Sequence, residues 1–235
     1  MKKLQDINNL DDMIGNVINA DCLEVMKMMP DKSVDLILTD PPYGMSFVSN
    51  HRKQKYQEIS GDNDLIWLDD FVLQAYRISK DNSAHYVFCS FHNIDIFKST
   101  FQRLFNIKNI LVWEKNNTSM GDLKGDFAPK AEFILFMQKG RKTINGKRDP
   151  NILRFDRTGN DFHPTQKPVP LFQYLLSKFS NETDLVFDPF IGSGTTALAC
   201  EQLNRRWIGC EIAEKYCKVA DDRVRAYRNQ TKLFS

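Results

Sequence analysis

Val34-Asp35-Leu36-Ile37-Leu38-Thr39-Asp40-Pro41-Pro42-Tyr43-Gly44 is the stretch from which the fold can be read. Its apolar first half reads as a strand buried on both faces of a parallel sheet. Two consecutive prolines cannot donate backbone hydrogen bonds, and each fixes its own φ, so the strand must end at Asp40. The carboxylate is thereby left at the carboxyl end of the strand, where open α/β sheets bind ligands. Tyr43 and Gly44 add a flat aromatic face and a flexible exit. Taken alone, the segment reads equally well as a strand that happens to stop in a proline turn.

Outward from it, the apolar periodicity alternates between strand and helix. Strands are expected at residues 16–20, 34–39, 84–89, 109–114, 131–137, 185–187 and 206–210. Helices are expected at 22–29, 65–79, 93–104, 169–179, 197–203 and 213–228. No helix separates the strand at 131–137 from its predecessor, so that strand is expected to be antiparallel. The pattern predicts a three-layer α/β domain whose sheet is mostly parallel with one antiparallel strand.

Two polar stretches interrupt the alternation. Residues 45–64 lack apolar period and carry His51, Arg52, Lys53 and Lys55. A loop of that length in a compact domain is usually functional or mobile. Residues 139–157 carry Lys139, Arg141, Lys142, Lys147, Arg148, Arg154 and Arg157 against Asp149 and Asp156. They read either as a surface that meets phosphates or as an ordinary solvated excursion.

Composition bounds the class. A chain of 235 residues is one large domain, or one domain with an inserted lobe. The net charge of +2 is too small to imply nucleic acid by itself. Five cysteines form no Cys-x-x-Cys pair, which favours buried thiols in a reducing cytosol over disulfides or zinc. The four histidines show no metal-ligand spacing, and no metal is expected. The polar N-terminus lacks a signal region, and no apolar run approaches the roughly 20 residues of a membrane span.

A second strand end carries chemistry. Asp188-Pro189-Phe190-Ile191-Gly192-Ser193-Gly194-Thr195-Thr196 lies between a strand and a helix. Its glycines let the backbone approach a ligand closely, and the helix that follows opens with free N–H groups. Glu211 ends the next strand, 23 residues beyond Asp188, the spacing of a ribose-hydroxyl ligand. No Gly-Lys-Ser/Thr follows, and the third glycine of the dinucleotide fingerprint is missing. A nucleoside bearing a carboxylate fits better than a pyrophosphate.

Together, Asp40-Pro41-Pro42-Tyr43 and the glycine loop resemble an S-adenosylmethionine-dependent amino-methyltransferase of DNA. The order, with the catalytic motif first and the glycine loop near the C-terminus, resembles the permuted β class of these enzymes. Asn19-Ala20-Asp21-Cys22-Leu23, His163-Pro164-Thr165-Gln166-Lys167-Pro168 and Arg206-Trp207-Ile208-Gly209-Cys210-Glu211 extend the likeness over roughly residues 16–228. The resemblance implies a Rossmann-like fold, S-adenosylmethionine as cofactor and double-stranded DNA as substrate, without a membrane, in the cytoplasm.

It also implies roles. Asp40, Pro41, Pro42 and Tyr43 form the catalytic set: the carboxylate and the Pro41 carbonyl accept from an exocyclic amine, and Tyr43 stacks on the base. The cofactor set is Asp21, Cys22, Asp40, Thr165, Lys167, Asp188, Phe190, Gly192, Ser193, Gly194, Thr195, Thr196 and Glu211. Thr165 and Lys167 would neighbour the methionine carboxylate, although Lys167 also reads as a surface lysine and Asp21 as a helix cap. DNA contacts are expected from His51, Arg52, Lys53, Lys55, Arg141, Lys142, Lys147, Arg148 and Arg154, with a target-recognition insertion at about 139–161. An aspartate opening the motif favours adenine N6 in this family, with cytosine N4 the alternative. A catalytically silent binding subunit and an RNA or protein amide methyltransferase are the remaining rivals. A homodimer and a cognate restriction endonuclease are left open.

Overall fold

The computed structural model describes residues 1–42, 67–118, 124–159 and 166–232. Among these, the strands are β1 (Lys2–Lys3), β2 (Val17–Asn19), β3 (Val34–Thr39), β4 (Ser79–Cys89), β5 (Asn106–Glu114), β6 (Ala131–Lys139), β7 (Ile152–Arg154), β8 (Leu185–Asp188) and β9 (Arg206–Glu211). The helices are α1 (Leu10–Met13), α2 (Cys22–Met28), α3 (Leu68–Ile78), α4 (Ile94–Phe101), α5 (Val169–Phe179), α6 (Thr195–Gln202) and α7 (Glu214–Lys232).

One sheet holds all of these strands in the order β1-β2-β9-β8-β3-β4-β6-β5-β7. Every neighbouring pair is parallel except those of β6, which runs antiparallel to both β4 and β5. Side chains alternate across the sheet, as period-2 geometry requires. Ile37, Val87, Leu135 and Phe187 face a layer holding α2, α3 and α4. Leu36, Leu38, Phe88, Ile134 and Val186 face α5, α6 and α7. Each fully buried Leu or Phe contributes on the order of 2 kcal/mol, so the central strands anchor the domain.

This is the three-layer architecture expected, with three local differences. β4 starts five residues earlier than its apolar run, because Asn82 takes φ 59° and the β3–β4 register shifts between Val34 and Leu36 to absorb polar residues. β7 forms inside the basic stretch, pairing with the end of β5, and of its three residues only Leu153 is buried. β1 adds two N-terminal residues to the far side of β2.

The strand order locates the site. From β8 the chain passes through α6 to β9, on one side, whereas from β3 it passes through α3 to β4, on the other. The connections therefore diverge between β8 and β3. In a parallel sheet that divergence opens a crevice at the carboxyl ends of the strands. Asp40 and the glycine loop stand on its two sides.

Candidate active site

β3 and β8 are hydrogen-bonded neighbours, with Leu36 opposite Val186 and Ile37 opposite Phe187. Their ends are tied by a buried bond in which Thr39 Oγ1 donates to Asp188 Oδ1 at 2.8 Å. The same carboxylate oxygen accepts from the Phe190 backbone N–H at 3.1 Å, and Oδ2 accepts from the Thr196 hydroxyl. Asp188 thus spends its carboxylate inward, joining two strands, the loop and the first turn of α6.

The Asp188 carboxyl is pushed up to about 7, chiefly by burial. Hydrogen bonds from Thr196, Thr39 and Phe190 oppose the shift, and the nearby Asp40 charge adds to it. Folding therefore favours the protonated form. The stability this confers is complete at low pH and is lost as pH rises from about 4, the ordinary carboxylate value, to about 7. Asp188→Asn stays neutral throughout. Relative to the unaltered protein it is expected to gain on the order of 2–3 kcal/mol between about pH 5 and about pH 8. Denaturant titrations at the two pH values check this; a constant difference between the proteins would refute it.

The glycine loop has the backbone its composition demands. Gly192 has φ 50° and Gly194 φ 85°, and Gly194 serves as the left-handed N-cap of α6. Glu211, at the end of β9, accepts from the Gly192 N–H at 3.2 Å through Oε2 and from the Ala213 N–H at 2.8 Å through Oε1. Burial raises its carboxyl, against these backbone bonds. The Ser193 carbonyl and hydroxyl both receive the Arg223 guanidinium of α7. Thr195 Oγ1 donates to the Lys167 carbonyl at 3.3 Å. Phe190 packs edge-on against Trp67, with ring centroids 5.3 Å apart. The buried Trp67 Nε1 has no hydrogen-bond partner among the described residues.

Asp40 is partly exposed, and the Pro41 that follows is buried. Its Oδ2 accepts from Lys167 Nζ at 2.5 Å. Lys167 Nζ also lies 3.2 Å from Glu132 Oε2, and Lys115 Nζ lies 3.3 Å from Glu132 Oε1. Burial alone would depress the Lys167 ammonium, but the Asp40 and Glu132 charges outweigh it and its pKa is raised. Burial likewise pushes Glu132 up, and the charges of Lys167 and Lys115 bring it down below its usual range.

Of the expected cofactor residues, Phe190, Gly192, Ser193, Gly194, Thr195, Thr196, Asp188 and Glu211 are brought together at the ends of β8 and β9. Asp21 is exposed and caps α2, accepting from the Leu23 N–H at 2.8 Å. Cys22 is buried, and burial pushes its thiol up to about 12. Lys167 is no surface lysine; its ammonium engages carboxylates of the protein itself. Tyr43, Thr165, His51, Arg52, Lys53 and Lys55 lie outside the described residues.

The direction of β6 places the basic stretch. Ala131 lies at the Asp40 edge and Lys139 at the opposite one, about 27 Å away at the rise of a strand. Arg141, Lys142, Lys147 and Arg148 therefore depart from the edge remote from Asp40. The turn there packs on the end of α5, where Lys178 Nζ donates to the Lys147 carbonyl. Lys139 is buried and donates to the Tyr76 and Ser79 carbonyls at the end of α3. Only with β7 does the chain return, placing Arg154 at the Asp40 edge, where it pairs with Glu114 at 2.9 Å. Residues 139–154 thus leave from the edge remote from Asp40 and regain the Asp40 edge with β7.

Sequence reasoning missed Glu132 and Lys115. Each looks like an ordinary charged residue at a strand end, and only the pairing of β5 with β6 shows that the two belong together.

Comparison with known proteins agrees with this geometry. A family model described as DNA methylase, of the N6/N4 methyltransferase type, matches residues 34–222. The putative methylase YubD of Escherichia coli (strain K12) is 35% identical over 91% of this chain and 91% of its own length. The type II methyltransferase M.HinfI of Haemophilus influenzae is 30% identical over 97% of this chain and 74% of its own length. The crystal structure of the M1.HpyAVI–SAM complex superposes with a TM-score of 0.70 at 28% identity, covering 89% of this chain and 98% of that one.

Proposed function

The chain belongs to the N6/N4 family of DNA methyltransferases, and from that premise we propose that it transfers the methyl of S-adenosylmethionine to adenine N6 in double-stranded DNA. The observation that carries the proposal is the tie between β3 and β8. It sets the Asp40 carboxylate beside a glycine loop that opens a helix, across one crevice.

The residues present fit the cofactor. Positive-φ glycines leave the loop backbone open to close approach, the first turn of α6 offers N–H groups to an anion, and Glu211 offers a carboxylate to ribose hydroxyls. When bound, the cofactor would supply a methyl group already activated by its sulfonium, so the protein has only to prepare the amine.

An exocyclic amine is a poor nucleophile because its lone pair is delocalised into the ring. Asp40, ion-paired to Lys167, accepts a hydrogen bond from that amine and favours a tetrahedral nitrogen. The Pro41 carbonyl is the second acceptor. Neither Pro41 nor Pro42 has an N–H to compete for these acceptors. Holding the nitrogen in line with the methyl is then a large part of catalysis. The amine lies inside the duplex stack, so the base must be flipped out, and Tyr43 is the residue we assign to stack on it. Base reading is assigned to the described residues next to the Asp40 edge, 115–118, 124–130 and 155–159. The second of these carries Phe127, 93% exposed, between Lys124 and Lys130.

The motif's opening aspartate supports adenine over cytosine. The test is to methylate DNA of diverse sequence with labelled cofactor and hydrolyse it to nucleosides. Label in N6-methyladenine is expected; label confined to N4-methylcytosine would overturn the choice of base, and no label would overturn the activity.

A further inference from the structure

Four charged residues from four separate segments form a chain along the sheet edge that carries Asp40. Lys115 follows the last residue of β5, Glu132 is the second residue of β6, Lys167 lies just before α5 and Asp40 follows the last residue of β3. The successive charged atoms lie 3.3, 3.2 and 2.5 Å apart. The side chains of Lys115 and Lys167 are only 8% and 7% exposed, and those of Glu132 and Asp40 28% and 19%. Charges so placed persist only when paired. The signs alternate, so the chain as a whole is neutral.

Lys167 is held from three directions. Its carbonyl accepts from Thr195 of the glycine loop's helix, its ammonium sits 5.3 Å from the centre of the Phe88 ring, and Pro168 restricts its backbone to an extended conformation. With Glu132 drawing on the same ammonium, Lys167 cannot swing away from Asp40 without also giving up its contact with Glu132 and leaving that carboxylate to Lys115. The Asp40 carboxylate in turn cannot rotate without breaking its bond through Oδ2.

We propose that Glu132, backed by Lys115, is a positioning residue for the methyl-transfer reaction. It acts through Lys167 to fix the orientation and the negative charge of Asp40 at the target amine. The assignment rests on the reading of Asp40 as the amine's acceptor. It gives Lys167 a duty toward the base-binding half of the site, where the family resemblance gives it one toward the cofactor carboxylate.

The two duties separate experimentally. Glu132→Gln, Lys167→Met and Lys167→Arg are compared with the unaltered protein in cofactor affinity by calorimetry and in kcat across pH with both substrates saturating. Cofactor Kd is expected to stay within about threefold in Glu132→Gln, while kcat falls roughly 10- to 100-fold, a loss of the size that a mispositioned reacting group produces. In Lys167→Met the acid limb of the kcat profile is expected to move up by about one pH unit or more, because a carboxylate that loses an adjacent cation is more easily protonated. Among the described residues Asp188 and Cys89 also sense the Asp40 charge, and neither is altered in these variants. Lys167→Arg, which keeps the cation, is expected to restore most of the limb's position. Should Glu132→Gln fold poorly, the charge-balanced double variant Glu132→Gln/Lys115→Met is expected to fold and to show the same loss of kcat.

A tenfold or greater loss of cofactor affinity in Lys167→Met with kcat and acid limb unmoved would overturn the assignment, as would full kcat in Glu132→Gln or in the double variant. An unaltered protein that methylates no DNA would defeat the reading beneath it as well.

Discussion

Alanine in place of Asp40 is expected to lower methyl transfer by about a thousandfold or more while leaving cofactor affinity nearly unchanged. Acid–base and acceptor groups of this kind contribute roughly 10²- to 10⁴-fold, and Asp40 is the carboxylate at the mouth of the crevice. The cofactor wall is built from the other strand ends, β8 and β9, and from α6, none of which needs Asp40 to fold. Lys167 keeps Glu132 as a partner when Asp40 is removed, so the buried cation is not orphaned. Single-turnover methylation of duplex DNA, with calorimetric titration of the cofactor, separates the two effects. Activity within tenfold of the unaltered protein would show that Asp40 is not the acceptor. Asp40→Asn controls for shape: the amide fills the same space without the charge, and its loss should approach that of alanine.

The second large effect is on the cofactor wall itself. Gly194 has φ 85°, and a Cβ there would lie 2.9 Å from Ala220 Cβ and 3.0 Å from Ala220 Cα. Alanine at 194 therefore faces both left-handed strain, about 1–2 kcal/mol, and a collision with α7. Gly146 offers a comparison at similar φ, 67°, with nothing within 4 Å. Gly146→Ala is expected to cost the strain alone, lowering Tm by about 2–6 °C in a domain of this size. Gly194→Ala should cost at least about twice that, because the loop or α7 must shift. The shift moves the N–H groups of α6, so cofactor affinity should fall by about a hundredfold or more, a local loss of some 3 kcal/mol. Thermal unfolding and cofactor titration of the two variants side by side check both numbers. Equal effects at the two positions would show that the α7 contact is unimportant.

The strand end at Asp40 and the glycine loop were legible because each is local. Apolar runs set β3, β8 and β9, prolines and glycines mark where they stop, and a parallel sheet puts all such ends on one edge. What could not be read were properties of pairing. The basic residues at 139–148 are contiguous with Arg154 in sequence, but β6 carries the chain to the far edge before β7 brings it back. Composition holds no sign of that detour. Glu132 was hidden for a related reason: Lys115 and Glu132 are unremarkable one by one, and their link to Lys167 arises where the ends of β5 and β6 meet the segment before α5. Asp188 carries the opposite lesson. Its place in the loop suggested a ligand contact, whereas burial and the hydroxyls of Thr39 and Thr196 turn its carboxylate toward the interior.

The bond from Thr39 to Asp188 joins residues 149 positions apart. On a ribosome the chain emerges from its N-terminus, so the strand that leads to Asp40 exists long before its neighbour in the sheet has been made. Through that interval one edge of β3 is an open row of backbone donors and acceptors, flanked by the apolar side chains of Leu36, Ile37 and Leu38, and its rightful occupant is among the last strands to arrive. Nascent protein of this architecture is therefore most vulnerable to mispairing midway through its synthesis, and the crevice closes into a working site only near the end of translation.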